Sequence, residues 1–295
     1  MPELPEVETV RRGLLPHVVG IRITPVELRR ADLRFPFPDG FAENLSGRRV
    51  RGLERRAKYL MFALDEGWVL LVHLGMSGRI TVVEEGRTSG VPFHHHVEPL
   101  AGHGPHDHVL IEFEGGARLV YTDPRRFGFM DLVKEVDLSD HPRLSHLGPE
   151  PFDESWTPEV WADSLMHRKV TIKSALLDQR ALVGVGNIYA CEALHRVRIS
   201  PRRQARTLVS KDGRPTTRLV NLHGAVRTVL QEAIDAGGST LRDFAAVDGS
   251  LGYFPHRFAV YDRAGESCQR EGCPGTIRRI TQQGRSSFAC FTCQR

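Results

Sequence analysis

Apolar and polar positions change period several times along the chain, and each change marks a change of element. Leu4, Val7, Val10, Leu14, Leu15 and Val18 recur at helical spacing, so residues 4–19 read as an amphipathic helix that Pro5 can start. The period then shortens to two. Residues 59–64 and 68–74 read as strands joined by Asp65, Glu66 and Gly67, a three-residue hairpin connection with glycine last. Val109, Ile111 and Phe113 alternate ahead of Gly115 and Gly116, which predicts a two-residue hairpin into Leu119 and Tyr121. To about residue 135 the chain therefore reads as mainly β behind one leading helix.

Residues 137–155, rich in proline, aspartate and serine, predict a connector. Thr157, Pro158 and Glu159 then supply an N-cap, a first-turn proline and a first-turn acid, and helical periodicity runs on to about Gln179. A further helix is expected to begin at Asn187. A longer one is expected over 216–236, stopped by Gly237 and Gly238. The tail from 260 to 295 holds four cysteines and is too short to build a core unaided.

Composition adds bounds. A length of 295 residues fits two or three domains, and 40% hydrophobic with 26% charged residues describes an ordinary soluble protein. The net charge is only +4, but cations bunch at 48–58 and again at Arg196, Arg198, Arg202, Arg203 and Arg206. Such runs predict a polyanion partner, and solvated faces give the same pattern. The acidic N-terminus has no apolar segment of signal-peptide type, and no run approaches a membrane span. A cytoplasmic protein with no membrane partner is expected, its five cysteines reduced unless they bind metal. His94, His95, His96, His103, His106 and His108 also bunch; their irregular spacing favours a polar loop between strands over a metal site.

Candidate chemistry starts at the N-terminus. If Met1 is removed, Pro2 becomes a secondary amine with a pKa of roughly 8, beside the carboxylate of Glu3. Such an amine attacks a carbonyl-like carbon to give an iminium ion, whereas the ordinary reading is a frayed helix start. Cys268, Cys273, Cys290 and Cys293 form a Cys-x4-Cys-x16-Cys-x2-Cys array, the spacing of a closed tetrahedral zinc ribbon. A redox pair at Cys290 and Cys293, or unrelated buried thiols, are the rivals. As a ribbon its task is to fold a hairpin presenting Arg278, Arg279 and Arg285, while Cys191 reads as core. The Gly184 to Asn187 turn suits either a phosphate at a helix N-terminus, with Asn187 as cap, or a plain packing joint. Met76, and the Asp123 to Gly128 turn with Arg125, Arg126 and Phe127, put apolar and cationic side chains at loop tips. Side chains of that kind wedge into a base stack; Met76 otherwise belongs to the core.

Together, Pro2 to Thr9, Arg55 to Tyr59 with Lys58, His73 to Met76, Thr122 to Gly128, Leu147 to Pro151, Gly184 to Tyr189 and the cysteine array resemble the formamidopyrimidine-DNA glycosylase family over essentially the whole chain. Leu4, directly after Glu3, favours this branch over the related endonuclease VIII, which usually has glycine there. The resemblance implies an α+β multidomain fold: an N-terminal β-sandwich with leading helix (1–135), a linker (136–155), a helix-two-turn-helix domain (156–257) with a lesion-covering loop at 239–257, and a zinc-ribbon hairpin (258–295). In that loop Gly, Ser, Tyr253 and Phe254 suit a mobile lid.

The activity implied is that of a bifunctional base-excision enzyme, a glycosylase and abasic-site lyase. It would remove oxidised purines (8-oxoguanine, formamidopyrimidines) through a Schiff base and then nick the strand by β,δ-elimination. Pro2 would be the nucleophile, Glu3 the proton donor and acceptor, Lys58 the β-elimination proton donor, and Arg285 the residue of δ-elimination. His106, Arg125 and Arg168 match DNA-contact positions, and His73, Asn187 and Arg263 resemble phosphate clamps. Met76, Arg125 and Phe127 match the trio that fills the gap left by a flipped base. One structural zinc ion, a monomer, and double-stranded DNA containing oxidised bases as partner complete the expectation. Two alternatives stand beside it: the same chemistry on oxidised pyrimidines or hydantoins, and a non-catalytic zinc-dependent DNA-binding protein. The chain departs from the family pattern in the x4 spacing of its first cysteine pair and in the His-rich insertion at 86–105.

Overall fold

The structure, a computed structural model, describes residues 2–84, 87–88, 103–239 and 258–295. Two compact units divide the chain: Met1–Ser145 with Ile234–Pro255, and His146–Ala233 with His256–Arg295. Most of the His-rich insertion, including His94, His95 and His96, and the loop from 240 to 257 with Tyr253 and Phe254, lie outside the described residues.

The first unit begins with helix α1 (Leu4–Val18), with proline in its first turn as expected. Strand β1 (Ile23–Leu28) and a short helix, α2 (Phe41–Leu45), follow. Then come β2 (Val50–Arg56), β3 (Tyr59–Leu64), β4 (Trp68–His73), β5 (Arg79–Glu84), β6 (Arg87–Thr88), β7 (Asp107–Phe113), β8 (Arg118–Thr122) and β9 (Phe129–Lys134). They form two antiparallel sheets, ordered β1-β7-β8-β5-β6 and β2-β3-β4-β9. One core joins both sheets and α1, with Leu14, Leu60, Phe62, Val72, Val109 and Ile111 among its members. Alternation is clean on β3, where Leu60, Phe62 and Leu64 are buried and the residues between them are half-buried. The β7–β8 turn is one residue longer than expected. Phe113 N–H donates to Ala117 O at 2.8 Å, so Glu114, Gly115 and Gly116 make a three-residue loop. Both glycines sit at positive φ (97° and 89°), which lets the loop close with an additional residue.

In the second unit α3 spans Pro158–Leu165, and Thr157 Oγ1 accepts from Val160 N as the N-cap. The periodicity predicts one helix to Gln179, but the helix breaks and α4 covers only Ile172–Leu177. Between them the backbone pairs with the segment before residue 207: Ile172 N to Arg203 O at 2.7 Å and Ala205 N to Val170 O at 2.9 Å. Val170 and Thr171, both β-branched, are weak helix formers, and Thr171 Oγ1 instead caps α4 by accepting from Ser174 N. Helices α5 (Asn187–Arg196) and α6 (Thr217–Asp235) match expectation, with Gly237 and Gly238 at positive φ after α6. Trp156 and Trp161 are buried, and Trp156 stacks 4.1 Å from His223 of α6. The chain closes with the hairpin β10 (Arg278–Gln282) and β11 (Arg285–Ala289). No described helix is long and apolar enough to cross a membrane.

Leu14 is wholly buried in the sandwich core. Leu14→Ala is expected to lower unfolding free energy in urea by about 2–5 kcal/mol, and Leu14→Met by less than about 1.5 kcal/mol.

Candidate functional site

The first unit holds its N-terminal residues firmly. Pro2 and Glu3 are both buried, and Glu3 is the N-cap of α1 in a capping box with Glu6. Glu6 Oε2 accepts from Glu3 N at 2.8 Å, and Glu6 Oε1 accepts from Ser239 N and Oγ at 2.8 and 2.7 Å. Glu6 was not singled out from the sequence; the Glu3-x-x-Glu6 spacing at a helix start is the signal that finds it. The positive end of α1 favours the Glu3 carboxylate and disfavours a protonated amine beside it.

Lys58 sits in the two-residue turn between β2 and β3, not on the strand itself, and is 8% exposed. Ala57, at φ +54°, makes the turn, and Arg55 Nη1 donates to its carbonyl at 2.9 Å. Arg55 also pairs with Glu8 of α1 at 3.3 Å, which joins the first helix to the strand end before Lys58. Burial opposes ionisation of Glu8, but hydrogen bonds from Arg11 and Arg12 outweigh it and hold the carboxyl below its usual range.

His73 ends β4 in an aromatic and cationic cluster. Its ring stacks on Phe129 at 5.6 Å and lies 5.0 Å from Tyr59, while the Arg143 guanidinium covers Phe35 and Phe129. Burial, reinforced by Lys58, Arg34 and Arg143, brings His73 down to about 4. Gly75 N–H donates to Nδ1 at 3.0 Å, so the neutral ring keeps its proton on Nε2 as a donor. The loop residues are more open. Phe127 is 40% exposed under the Arg125 guanidinium (5.0 Å), Met76 is half-buried, and His106 is exposed. His103 is also exposed, whereas His108 is buried with Nε2 bonded to Asp123 O. Asp123, read from the sequence as a turn residue, is completely buried.

In the second unit Asn187 is the first residue of α5. Gly186, in extended backbone, takes the N-cap position expected of Asn187. Asn187 Oδ1 is buried without a hydrogen-bond partner. Gln179 braces the turn before it, accepting from Gly184 N and donating to Val185 O. Glu192, on the same helix, accepts from the backbone N–H groups of Ala259, Val260 and Tyr261 at 2.8–3.0 Å. Burial pushes its carboxyl up despite those amides. The segment so gripped leads to Arg263, whose Nη1 donates to Phe258 O at 3.1 Å. Arg168 is ion-paired with Asp178 at 2.5 Å.

The cysteines converge. Sγ atoms of Cys268, Cys273, Cys290 and Cys293 all lie within 4.8 Å of one another, with Cys268–Cys293 at 3.9 Å and Cys273–Cys290 at 3.6 Å. Thiolates about 2.3 Å from a tetrahedral ion are about 3.8 Å apart, so the four fit one metal ion with no position left open. Among the described residues no other cluster of three or more His, Cys, Asp or Glu qualifies. Cys191 belongs to the same buried cluster as Cys268 and Cys290, and the buried Lys173 donates to Ser286 O and Ser287 Oγ on β11. Arg278, Arg279 and Arg285 are exposed on that hairpin. Lys173 carried no signal in the sequence, where a lysine on a helix reads as a solvated face.

The neutral state of His73 is testable. Its ring is expected to titrate near pH 4 by NMR and to stay neutral from pH 5 to 8. An unfolded histidine titrates near 6.5, so the contribution of His73 to stability is complete above that pH. It is lost as pH falls toward 4, because the unfolded chain takes the proton first. A ring that titrates at 6 or above counts against this environment.

Family models match on both units. The formamidopyrimidine-DNA glycosylase N-terminal domain matches residues 1–130, and the formamidopyrimidine-DNA glycosylase H2TH domain matches 147–245. The chain is 53% identical over 295 residues to the formamidopyrimidine-DNA glycosylase of Beijerinckia indica subsp. indica, covering all of both chains. With that of Azorhizobium caulinodans it shares 54% over 297 residues, again end to end. A solved complex between Lactococcus lactis Fpg and an abasic site containing DNA is 31% identical with a TM-score of 0.84, covering 99% of each chain. The solved MutM (Fpg) protein from Thermus thermophilus is 38% identical with a TM-score of 0.82, covering 99% of this chain and 98% of that one. Identity above one half from end to end, with both family domains in sequence, means that the chain belongs to the formamidopyrimidine-DNA glycosylase family.

Proposed function

We propose that the chain excises oxidised purines, 8-oxoguanine and formamidopyrimidines, from double-stranded DNA through a covalent intermediate on Pro2. Its family makes it a DNA glycosylase and abasic-site lyase of base-excision repair rather than a non-catalytic DNA-binding protein. The observation that carries the residue assignment is the burial of Pro2 and Glu3 at a helix start sealed by Glu6. An amine there is held in place, and the positive helix end disfavours its protonation.

With Met1 attached, the Pro2 nitrogen is a tertiary amide with no lone pair to donate, so the chemistry begins once Met1 is removed. The freed nitrogen attacks the sugar C1′ and the bond to the damaged base breaks. The base leaves with a proton, and Glu3 exchanges protons with the sugar as the ring opens. The nitrogen loses its own proton and the C1′–nitrogen link becomes an iminium. That iminium acidifies the C2′ proton. Its loss expels the 3′ phosphate, and a second elimination expels the 5′ phosphate. Lys58 serves the first elimination and Arg285 the second.

His73, Asn187 and Arg263 hold backbone phosphates, and a neutral His73 does so as a hydrogen-bond donor rather than as a cation. His106, Arg125 and Arg168 add DNA contacts; the Nη1 of Arg168 is held by Asp178, which orients its guanidinium. Met76, Arg125 and Phe127 fill the stack where the base has left. One zinc ion on the four cysteines folds the hairpin that carries Arg285. The protein works as a monomer in the cytoplasm.

Borohydride trapping on duplexes with single lesions tests the mechanism. Wild type freed of Met1 is expected to give an adduct with 8-oxoguanine and formamidopyrimidine substrates. Glu3→Gln should keep DNA affinity while excision falls by about 10²–10⁴-fold, and Pro2→Gly should lose excision. No adduct on any oxidised purine rejects the proposal; adducts on oxidised pyrimidines alone move the substrate. Elemental analysis should find one zinc per chain. Chelation should lower the melting temperature and abolish DNA binding, and unchanged affinity without metal would refute the structural role of the cysteines.

A further inference from the structure

We infer that Asp123 is the positioning residue of the base-stack insertion loops, a role that rests on the insertion assignment above. Its carboxylate joins the turn that carries Met76 to the turn that carries Arg125 and Phe127. Asp123 is fully buried. Oδ1 accepts from Ser77 Oγ at 2.6 Å; Oδ2 accepts from Gly128 N at 2.8 Å and from Tyr121 Oη at 3.3 Å. Ser77 Oγ in turn accepts from Arg125 N at 3.2 Å. One carboxylate thereby reaches the residue after Met76, the residue after Phe127, and the backbone of Arg125.

The main chain of Asp123 extends the same junction. Its N–H donates to His106 O at 3.0 Å, and its carbonyl accepts from Arg126 N at 3.2 Å and lies 3.0 Å from His108 Nε2. Three segments bearing proposed DNA contacts therefore meet at one residue. The seam has no room for anything else. A Cβ on Gly75 would lie 2.3 Å from Gly128 N, and one on Gly128 would lie 2.6 Å from His73 O. Arg126 sits at φ +54°, a conformation unfavourable to a side chain unless its surroundings hold it.

A carboxylate satisfied by two hydroxyls and an amide is a poor way to fill a sandwich core, where apolar packing stabilises more. Its use is arrangement. Side chains that enter a base stack must be ordered beforehand, or the cost of ordering them falls on the binding step. The junction supplies that order before DNA arrives, so Met76, Arg125 and Phe127 enter as one wedge.

Ser77→Ala and Asp123→Asn test this on two substrates. A duplex lesion requires the wedge. Single-stranded DNA with a pre-formed abasic site has no partner base to intrude on and reports only Pro2 chemistry. Ser77→Ala, which keeps the carboxylate and its bonds to Gly128 and Tyr121, is expected to lower single-turnover duplex excision by about ten-fold and Asp123→Asn by at least as much. Borohydride trapping on the single strand should stay within about two-fold for both. 2-Aminopurine opposite the lesion should brighten less in both variants, a signature that loss of stability alone does not produce. Folded Ser77→Ala with wild-type duplex excision and fluorescence overturns the inference, as does an equal loss on both substrates. If the wild type fails to trap on either substrate, the Pro2 mechanism fails instead, and the 2-aminopurine signal, which needs no chemistry, still decides the role of Asp123.

Discussion

A chain terminus is the worst place to keep a group in fixed position, as the proposed Pro2 nucleophile requires, because ends fray and their backbone is normally solvated. In this protein the end is pinned by Glu6, which bonds to the backbone of Glu3 on one side and to Ser239 on the other. That carboxylate closes α1 and ties its first turn to Ser239 with a single side chain. The helix is in turn seated by Val7, Val10, Leu14 and Val18 in the core shared by both sheets. Each element of the first unit thus bears on where the nitrogen of Pro2 lies. The Glu8–Arg55 pair extends the same logic to the turn with Lys58.

Buried charge recurs as a positioning device. Glu192 grips three successive amides on the approach to Arg263, Lys173 holds β11 of the cysteine hairpin, and Asp123 joins the loop tips. Buried ionic groups stabilise a fold poorly compared with well-packed apolar residues, since desolvation offsets most of the attraction. What they provide is one arrangement in preference to its neighbours. That is the property an enzyme needs when it must hold a distorted duplex and a reactive sugar together.

The legible parts of the sequence were those with a repeated or fixed-spacing signal. Helix α1, strands β3 and β4, the Thr157 cap and the cysteine array all follow from periods or spacings that few other structures share. The parts that escaped depend on partners distant in sequence. The break before α4 arises because residues 168–171 pair with 203–206, and no local signal reports that pairing. Asn187 was read as a cap from its side chain alone, whereas the extended backbone of Gly186 had already claimed the cap position. Asp123, Glu192 and Lys173 look like ordinary surface charges until the fold closes over them. Reading charge from sequence gives no sign of which charged groups the fold will bury as positioning residues.

The cysteine hairpin shows the same dependence at the other end of the chain. Its strands are too short to bury a core, and the cluster around the thiols is completed by Cys191 from α5 and Val260 from the segment held by Glu192. Burial resists ionisation of Cys290, yet the amides of Cys293 and Thr292 and the thiols of Cys273 and Cys293 bring it down to about 7, while burial and the thiols of Cys290 and Cys268 push Cys293 up to about 12. Four thiols so close repel one another once ionised, and the tetrahedral spacing is one that a compensating ion would fit. Arg285 opens β11, the strand that ends beside Cys290, so its backbone is placed by the same hairpin that carries the cysteine cluster. The cysteine cluster, buried lysine and buried glutamate therefore do for the hairpin what Glu6 does for the N-terminus: each fixes a segment that hydrophobic packing alone leaves loose.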